Sequence, residues 1–172
     1  YRFHYLLLVF IKFWFRKFGT LQYIFMRKIK TILFVCTGNS ARSIIAESIV
    51  NKNYRNQFIA FSAGSNPSGK INPYIKEYLE EKKFNLATYY SKNFDEFLKN
   101  DIDIDYVITV CNNANKEVCP VWPKKKTITH WDIADPVEKF KKTKNKDKIN
   151  LITEETYNII NEKIKHWIKN EK

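Results

Sequence analysis

Thr31-Ile-Leu-Phe-Val35, then Cys36-Thr-Gly-Asn-Ser-Ala-Arg-Ser43, then Ile44-Ile-Ala-Glu-Ser-Ile-Val50, is the stretch whose reading decides the fold. A short β-branched and aromatic run that stops at a turn and opens into a periodic apolar segment reads as strand, tight loop and helix. The loop has the composition of an anion cradle. Five residues separate Cys36 from Arg42, enough chain to curl around one tetrahedral oxyanion. Gly38 permits backbone angles that a side chain would forbid, so successive N–H groups can turn inward while the following helix adds its positive end. Arg42 can fork two oxygens of the anion, and Ser43 can donate to the sulfur of Cys36. A thiol in that setting loses its proton well below its free value of about 8.5, with precedents of roughly 3.5 to 7.5. Cys36 therefore reads as a thiolate nucleophile, with Thr37, Gly38, Asn39, Ser40, Ala41, Arg42 and Ser43 as the oxyanion-binding loop. A cysteine that merely ended a buried strand would need none of the Gly, Asn, Arg and Ser that follow it.

Around this stretch lie 172 residues, a length that suits one domain with a real core. Aromatic content of 16% and hydrophobic content of 44% argue against disorder. A net charge of +12 would ordinarily point to nucleic acid or a membrane surface. Seven of the basic residues and no acid fall within the first thirty positions, however, so the remainder is only moderately basic, which suits an oxyanion and requires no nucleic acid. Three cysteines are too few for a secreted disulfide scaffold and fit no zinc spacing. A reactive thiol with two others in the chain points instead to a reducing compartment, the cytoplasm, and no metal is expected.

Tyr1 to Phe25 stands apart. Its uninterrupted apolar run, Tyr5 to Ile11, is far short of the roughly 20 residues that span a bilayer, and no small-residue cleavage site follows. With Met26 just before the first strand, residues 1–25 are read as a non-native or disordered leader and residues 26–172 as the single domain. A membrane-surface amphipathic segment is the alternative for the leader.

Further along, Ile44 to Asn53 reads as the first helix, Phe58-Ile-Ala-Phe61 as the second strand, and Ser62 to Gly69 as a long turn. Asn72 caps a helix with Pro73 at its first position and apolar residues at 74, 75, 78 and 79. Ser91 to Leu98 reads as a short helix, Asp105 to Val110 as a buried strand and Thr127 to Trp131 as the fourth strand. His130 and Trp131 read as structural. Lys139 to Lys148, with six Lys against one acid, reads as a mobile surface loop, and Thr153 as the cap of a final helix with one apolar face from Tyr157 to Ile168. Strands alternating with helices favour an α/β three-layer sandwich with a four-stranded parallel sheet, whose functional loops gather at the carboxyl ends of the strands. Cys36 and Cys111 each follow such an end, which places both thiols on one edge of the sheet.

The Cys36–Ser43 loop resembles the oxyanion loop of the low-molecular-weight protein tyrosine phosphatase superfamily. Within it, Ser62-Ala-Gly-Ser65, Val110-Cys111, Glu117-Val-Cys-Pro-Val-Trp-Pro123 and His130-Trp131 with Asp135-Pro136 resemble the arsenate reductase branch. The resemblance covers about Lys28 to Lys169. It implies that Cys36 attacks arsenate held by Arg42 and the loop amides, that Asp135 acts as general acid, and that Asn39, Ser43 and Ser62 brace the loop. It further implies that Cys111 attacks Cys36, expelling arsenite, and that Cys119 resolves the bond into a Cys111–Cys119 disulfide. No tightly bound cofactor is implied. The reductant would be an external thiol system, thioredoxin or else glutathione with glutaredoxin, and a monomer is expected. The rival reading is a phosphatase acting on phosphate monoesters through the same loop and Asp. Against it, Asp135-Pro136 is followed by Val-Glu-Lys rather than the tyrosine pair of those phosphatases, and ester hydrolysis has no need of Cys119. Ala41 stands where some reductases carry an extra Cys.

Overall fold

The computed structural model describes residues 28–100, 102–110 and 127–171. The leader, Cys111 and Cys119 lie outside them. Strand β1 (Lys30–Cys36) pairs in parallel with β2 (Phe58–Gly64) on one side and β3 (Tyr106–Thr109) on the other, and β4 (Thr127–His130) extends the sheet in the order β2-β1-β3-β4. Because all four strands run the same way, their carboxyl ends share one rim. Five helices are described: α1 (Arg42–Asn53), α2 (Pro73–Glu81), α3 (Asp95–Lys99), α4 (Pro136–Phe140) and α5 (Lys146–Asn170).

The alternation of a strand puts Ile32, Phe34 and Cys36 on one face of β1 and Leu33 and Val35 on the other. The first face meets Ile45 and Ile49 of α1, Leu79 of α2, Phe140 of α4 and Ile160, Ile164 and Ile168 of α5. The second packs with Ala63, Val107, Ile104 and Phe97 of α3. Both faces of β1 are thereby buried, which explains why its sequence is a continuous apolar run. Each fully buried Ile or Leu contributes on the order of 1.5–3 kcal/mol.

The strand–loop–helix reading of 31–53 and the helix capped by Asn72, whose side chain accepts from Tyr74 N at 3.0 Å, match the structure. Other boundaries move, each for a tertiary reason. Ser62-Ala63-Gly64 continues β2 instead of starting the turn, because β1 pairs with β2 as far as Cys36 opposite Gly64. Cys36 is accordingly the last residue of β1 and not the first beyond it. The expected helix over Ser91 to Leu98 shrinks to Asp95–Lys99, since Ser91 and Lys92 are drawn against the oxyanion loop. The expected loop at 139–148 contains the end of α4 and the start of α5. The cap of α5 is Asn145, whose side chain accepts from Lys148 N at 3.0 Å, and Thr153 sits inside the helix, bonded back to Ile149 O.

The outer edge of β2 is partly closed by a side chain. The Asn51 amide donates to Ala60 O at 2.9 Å and accepts from Ala60 N at 2.8 Å, reproducing the two bonds of a neighbouring strand.

Gly64, at the rim of β2, is where the sheet meets the loop. A Cβ there would lie 2.4 Å from Thr37 O and 3.0 Å from Asn39 Cβ, closer than real atoms approach. Gly64→Ala is therefore expected to cost about 1–3 kcal/mol by urea denaturation, as overpacking does, and to weaken phosphate binding. Unchanged stability and binding would show that the loop is not clamped here.

Candidate active site

The loop between β1 and α1 is held from outside by its carbonyls. Ser65 N donates to Cys36 O, Asn66 N to Thr37 O, Ser68 N to Gly38 O and Asn72 N to Ser40 O, at 2.9–3.1 Å, and Ser91 Oγ adds a second bond to Gly38 O. In a planar trans peptide the N–H of the next residue points opposite to the carbonyl. Four outward carbonyls thus turn the N–H groups of Thr37, Gly38, Asn39 and Ala41 inward, forming a concave nest at the start of α1. The 65–72 turn is what builds the cradle, a role that its composition did not announce.

Cys36 sits in this nest with its sulfur accepting from Asn39 N at 3.1 Å and lying 3.0 Å from Ser43 Oγ. Asn39 reaches that position with φ 42°, in the left-handed region that Asn tolerates better than most side chains. Its side chain is fully buried and fully used. Oδ1 accepts from Lys92 N at 2.8 Å, while Nδ2 donates to Ser43 Oγ at 2.9 Å and to Ser62 Oγ at 2.8 Å. The Lys92 N–H decides which way the amide faces, because only the oxygen can accept it. Ser43 already accepts from Asn39, so its own hydrogen is available to the sulfur.

Arg42 reaches across to the stretch after β4. Nη1 donates to Ile133 O at 2.9 Å, Nη2 lies 3.3 Å from Asp135 Oδ2, and the buried Nε has no partner. An unpartnered buried N–H on an arginine of the oxyanion loop is a donor in want of an anion. Asp135 is placed by three anchors. Trp131 N bonds to Thr109 O and the Trp131 ring packs at 5.9 Å on Phe34, Ile133 is buried, and Asp135 Oδ1 caps α4 by accepting from Val137 N at 3.0 Å. His130 is bound to Thr109 Oγ1 at 2.7 Å, on the sheet rather than in the nest.

Residues 36–43, Ser62 and Asp135 are therefore in one place. Cys111 and Cys119 fall outside the described residues; Val110, immediately before Cys111, bonds to Val35 O, immediately before Cys36. Glu47 was not among the sequence candidates, whereas for Lys92 the resemblance implied an ammonium set near the loop. Glu47 Oε2 accepts from Ser62 Oγ at 2.5 Å and lies 4.0 Å from Lys92 Nζ. Burial pushes Glu47 up to about 7, against the attraction of Lys92 and the Ser62 hydrogen bond. Burial likewise pulls Lys92 down, against Glu47 and Glu96. A signal was available for Glu47 in the apolar residues on either side of it, Ile44 to Ala46 and Ile49-Val50. Among the described residues, no group of three or more His, Cys, Asp or Glu could hold a metal ion, and no helix is long and apolar enough to cross a membrane.

Arsenate reductase 1 of Staphylococcus epidermidis is 37% identical over 112 residues, covering 64% of this chain and 80% of that protein. The arsenate reductase of Brevibacillus brevis is 35% identical over 114 residues, covering 66% of this chain and 82% of that protein. Among solved structures, the thioredoxin-dependent arsenate reductase of Corynebacterium glutamicum superposes with a TM-score of 0.59 at 29% identity, over 84% of this chain. The chain spans 64% of the length of that protein. The family model for low molecular weight phosphotyrosine protein phosphatases matches residues 31–172, the sheet, nest and closing helix together, and the chain belongs to that family.

Proposed function

We propose that this protein reduces arsenate to arsenite, with Cys36 as nucleophile and Cys111 and Cys119 as a thiol relay. A tetrahedral oxyanion in the nest meets the inward N–H groups and the free Nε of Arg42, with the Cys36 sulfur below its central atom. Cys36 attacks arsenic and displaces one oxygen, which leaves as water when Asp135 supplies a proton. Cys111 then attacks the Cys36 sulfur. The sulfur–arsenic bond breaks, its electron pair stays on arsenic, and arsenite departs, leaving a Cys36–Cys111 disulfide. Cys119 attacks Cys111, freeing Cys36, and an external dithiol reduces the resulting Cys111–Cys119 bond. Thioredoxin fits that last step because two resolving thiols are present, and glutathione with glutaredoxin is the other donor of the same chemistry. The reaction calls for a reducing compartment, the cytoplasm.

The observation that carries this reading over ester hydrolysis is the likeness at 34–37% identity to curated arsenate reductases, in a chain that supplies two cysteines beyond the nucleophile. The test is arsenite formation by the purified protein with arsenate and either thioredoxin with its reductase or glutathione with glutaredoxin, set beside hydrolysis of an aryl phosphate. Cys36→Ser is expected to abolish arsenite formation. Cys119→Ser is expected to retain one turnover and lose thioredoxin-coupled cycling. Aryl-phosphate hydrolysis without arsenite formation would assign the phosphatase reaction instead, and full cycling by Cys119→Ser would remove that thiol from the relay.

Asp135 and the anion draw on the same guanidinium. Asp135→Asn removes the negative charge 3.3 Å from Arg42 Nη2 and is expected to tighten phosphate binding about fivefold by calorimetry, the size of a part-exposed ion pair, while lowering turnover. Weaker phosphate binding in the variant would show that the carboxylate helps to hold the anion instead of competing with it.

A further inference from the structure

Two kinds of link bring Asp135 to the nest. One is Arg42, which donates to Ile133 O at 2.9 Å and faces Asp135 Oδ2 at 3.3 Å. In the reaction above the guanidinium is also drawn to the anion, so its hold on the carboxylate is weakest when the proton has to be delivered. The other link is apolar and lies outside the nest. Tyr74, the second residue of α2, and Phe140, the last residue of α4, meet edge to face with ring centroids 5.3 Å apart and planes at 72°. Each ring belongs to an element that the site already uses. Asn72, the cap of α2, accepts from Tyr74 N at 3.0 Å and donates its own N–H to Ser40 O of the oxyanion loop at 2.9 Å. Phe140, 6% exposed in the main core, closes the five-residue helix that Asp135 opens.

We propose, resting on Asp135 as the general acid, that Tyr74 is its positioning residue: through Phe140, the Tyr74 ring ties the helix that carries the acid to the α2 start that holds the oxyanion loop. The carboxyl then stays beside the nest when Arg42 turns to the anion. Helix α4 is about 7.5 Å long, and the Asp135 side chain is bonded to it by accepting from Val137 N at 3.0 Å. So short a helix turns as one piece, and a shift at Phe140 is carried to the carboxyl at the other end. An edge-to-face pair prefers particular angles, so it fixes the orientation of α4 as well as excluding water. Proton transfer needs that orientation, because an acid displaced by about 1 Å leaves hydrogen-bond reach of the departing oxygen.

Other contacts around α4 do less to orient it. Trp131 and Ile133 anchor the chain before Asp135 and leave open the direction of the helix after it. The ion pair of Glu138 with Lys141 is local to α4 and the residue that follows it, so it docks the helix on nothing else. Lys146 of α5 reaches Glu77 of α2 at 3.4 Å, but both side chains are more than half exposed, where an ion pair contributes little, and the pair lies beyond α4. Tyr74 is 40% exposed, so its removal takes less from the core than removal of a buried ring would.

The test is a double-mutant cycle on the full-length protein with Tyr74→Ala and Asp135→Asn, alone and together, read as kcat and KM for arsenite formation, or for aryl-phosphate hydrolysis where that is the reaction. Tyr74→Ala is expected to lower kcat about fivefold without raising KM, the share of one edge-on ring contact, and Tyr74→Phe, which keeps the ring, to restore the parent's kcat. In the Asp135→Asn background Tyr74→Ala is expected to change kcat no further, since the acid it orients is gone. An unchanged kcat in Tyr74→Ala overturns the proposal, as does the same loss with and without the Asp135 carboxylate. Should Tyr74→Ala fail to fold by circular dichroism, Tyr74→Leu, apolar but without the ring edge, takes its place in the cycle with the same outcomes. Calorimetry of inorganic phosphate binding separates the role of Tyr74 from the reaction assigned. A carboxylate no longer held beside Arg42 competes less with the anion, so Tyr74→Ala is expected to tighten phosphate binding about twofold, part of what Asp135→Asn gives, and to leave it unchanged in the Asp135→Asn background. If the protein turns over neither substrate, the reaction assigned above falls and the calorimetry alone decides: equal phosphate affinity in Tyr74→Ala and the parent, or tightening that persists in the Asp135→Asn background, overturns the role of Tyr74.

Discussion

One side-chain amide ties the site together. Asn39 takes its orientation from the Lys92 backbone, divides its two hydrogens between Ser62 of β2 and Ser43 of α1, and points its own backbone N–H at the Cys36 sulfur. Three segments distant in sequence are thereby held to the sulfur by one residue with φ 42°. The strain of that conformation is local, and four hydrogen bonds within 3.1 Å offset it. The peptides that follow Cys36, Thr37, Gly38 and Ser40 cannot rotate without breaking a bond to the turn that follows β2.

Binding of an anion by such a loop depends on preparation made before the anion arrives. Four carbonyls that would repel it, those of Cys36, Thr37, Gly38 and Ser40, are occupied on the outside by N–H groups of residues 65–72. Arg42 is prepared too, with one nitrogen fixed to Ile133 O. The side chain does not have to be ordered again when ligand binds, which is where most of the entropy of a long cation is ordinarily lost. Asp135 reaches the same guanidinium because Trp131 and Ile133 are buried on either side of the exposed Asp132, an alternation that carries the extended chain from β4 to the start of α4.

Much of this was legible in the residues. The apolar run of β1, the Gly and Asn of the loop, Arg42 and the Pro after Asp135 are local signals, each tied to a backbone requirement. So was the helix opened by Asn72-Pro73. What escaped had its cause elsewhere in the fold. Ser62-Ala63-Gly64 has the composition of a turn and is strand because β1 offers it a partner as far as Cys36. Asn145 and Thr153 are both acceptable caps, and only the packing of Ile149 against the core selects the earlier one. Lys92 lies in a stretch of polar residues, and its carboxylate partner, Glu47, stands forty-five positions earlier.

The side chain of Asn51 has a meaning for the molecule among its neighbours. An outermost strand of a sheet exposes a row of unsatisfied main-chain groups on which another extended polypeptide can zip up, the first step toward swapped dimers and fibrils. By occupying both groups of Ala60 from within the same chain, the amide interrupts that row near its middle. A helix residue thus holds the two main-chain groups that an incoming strand would have to win at this border.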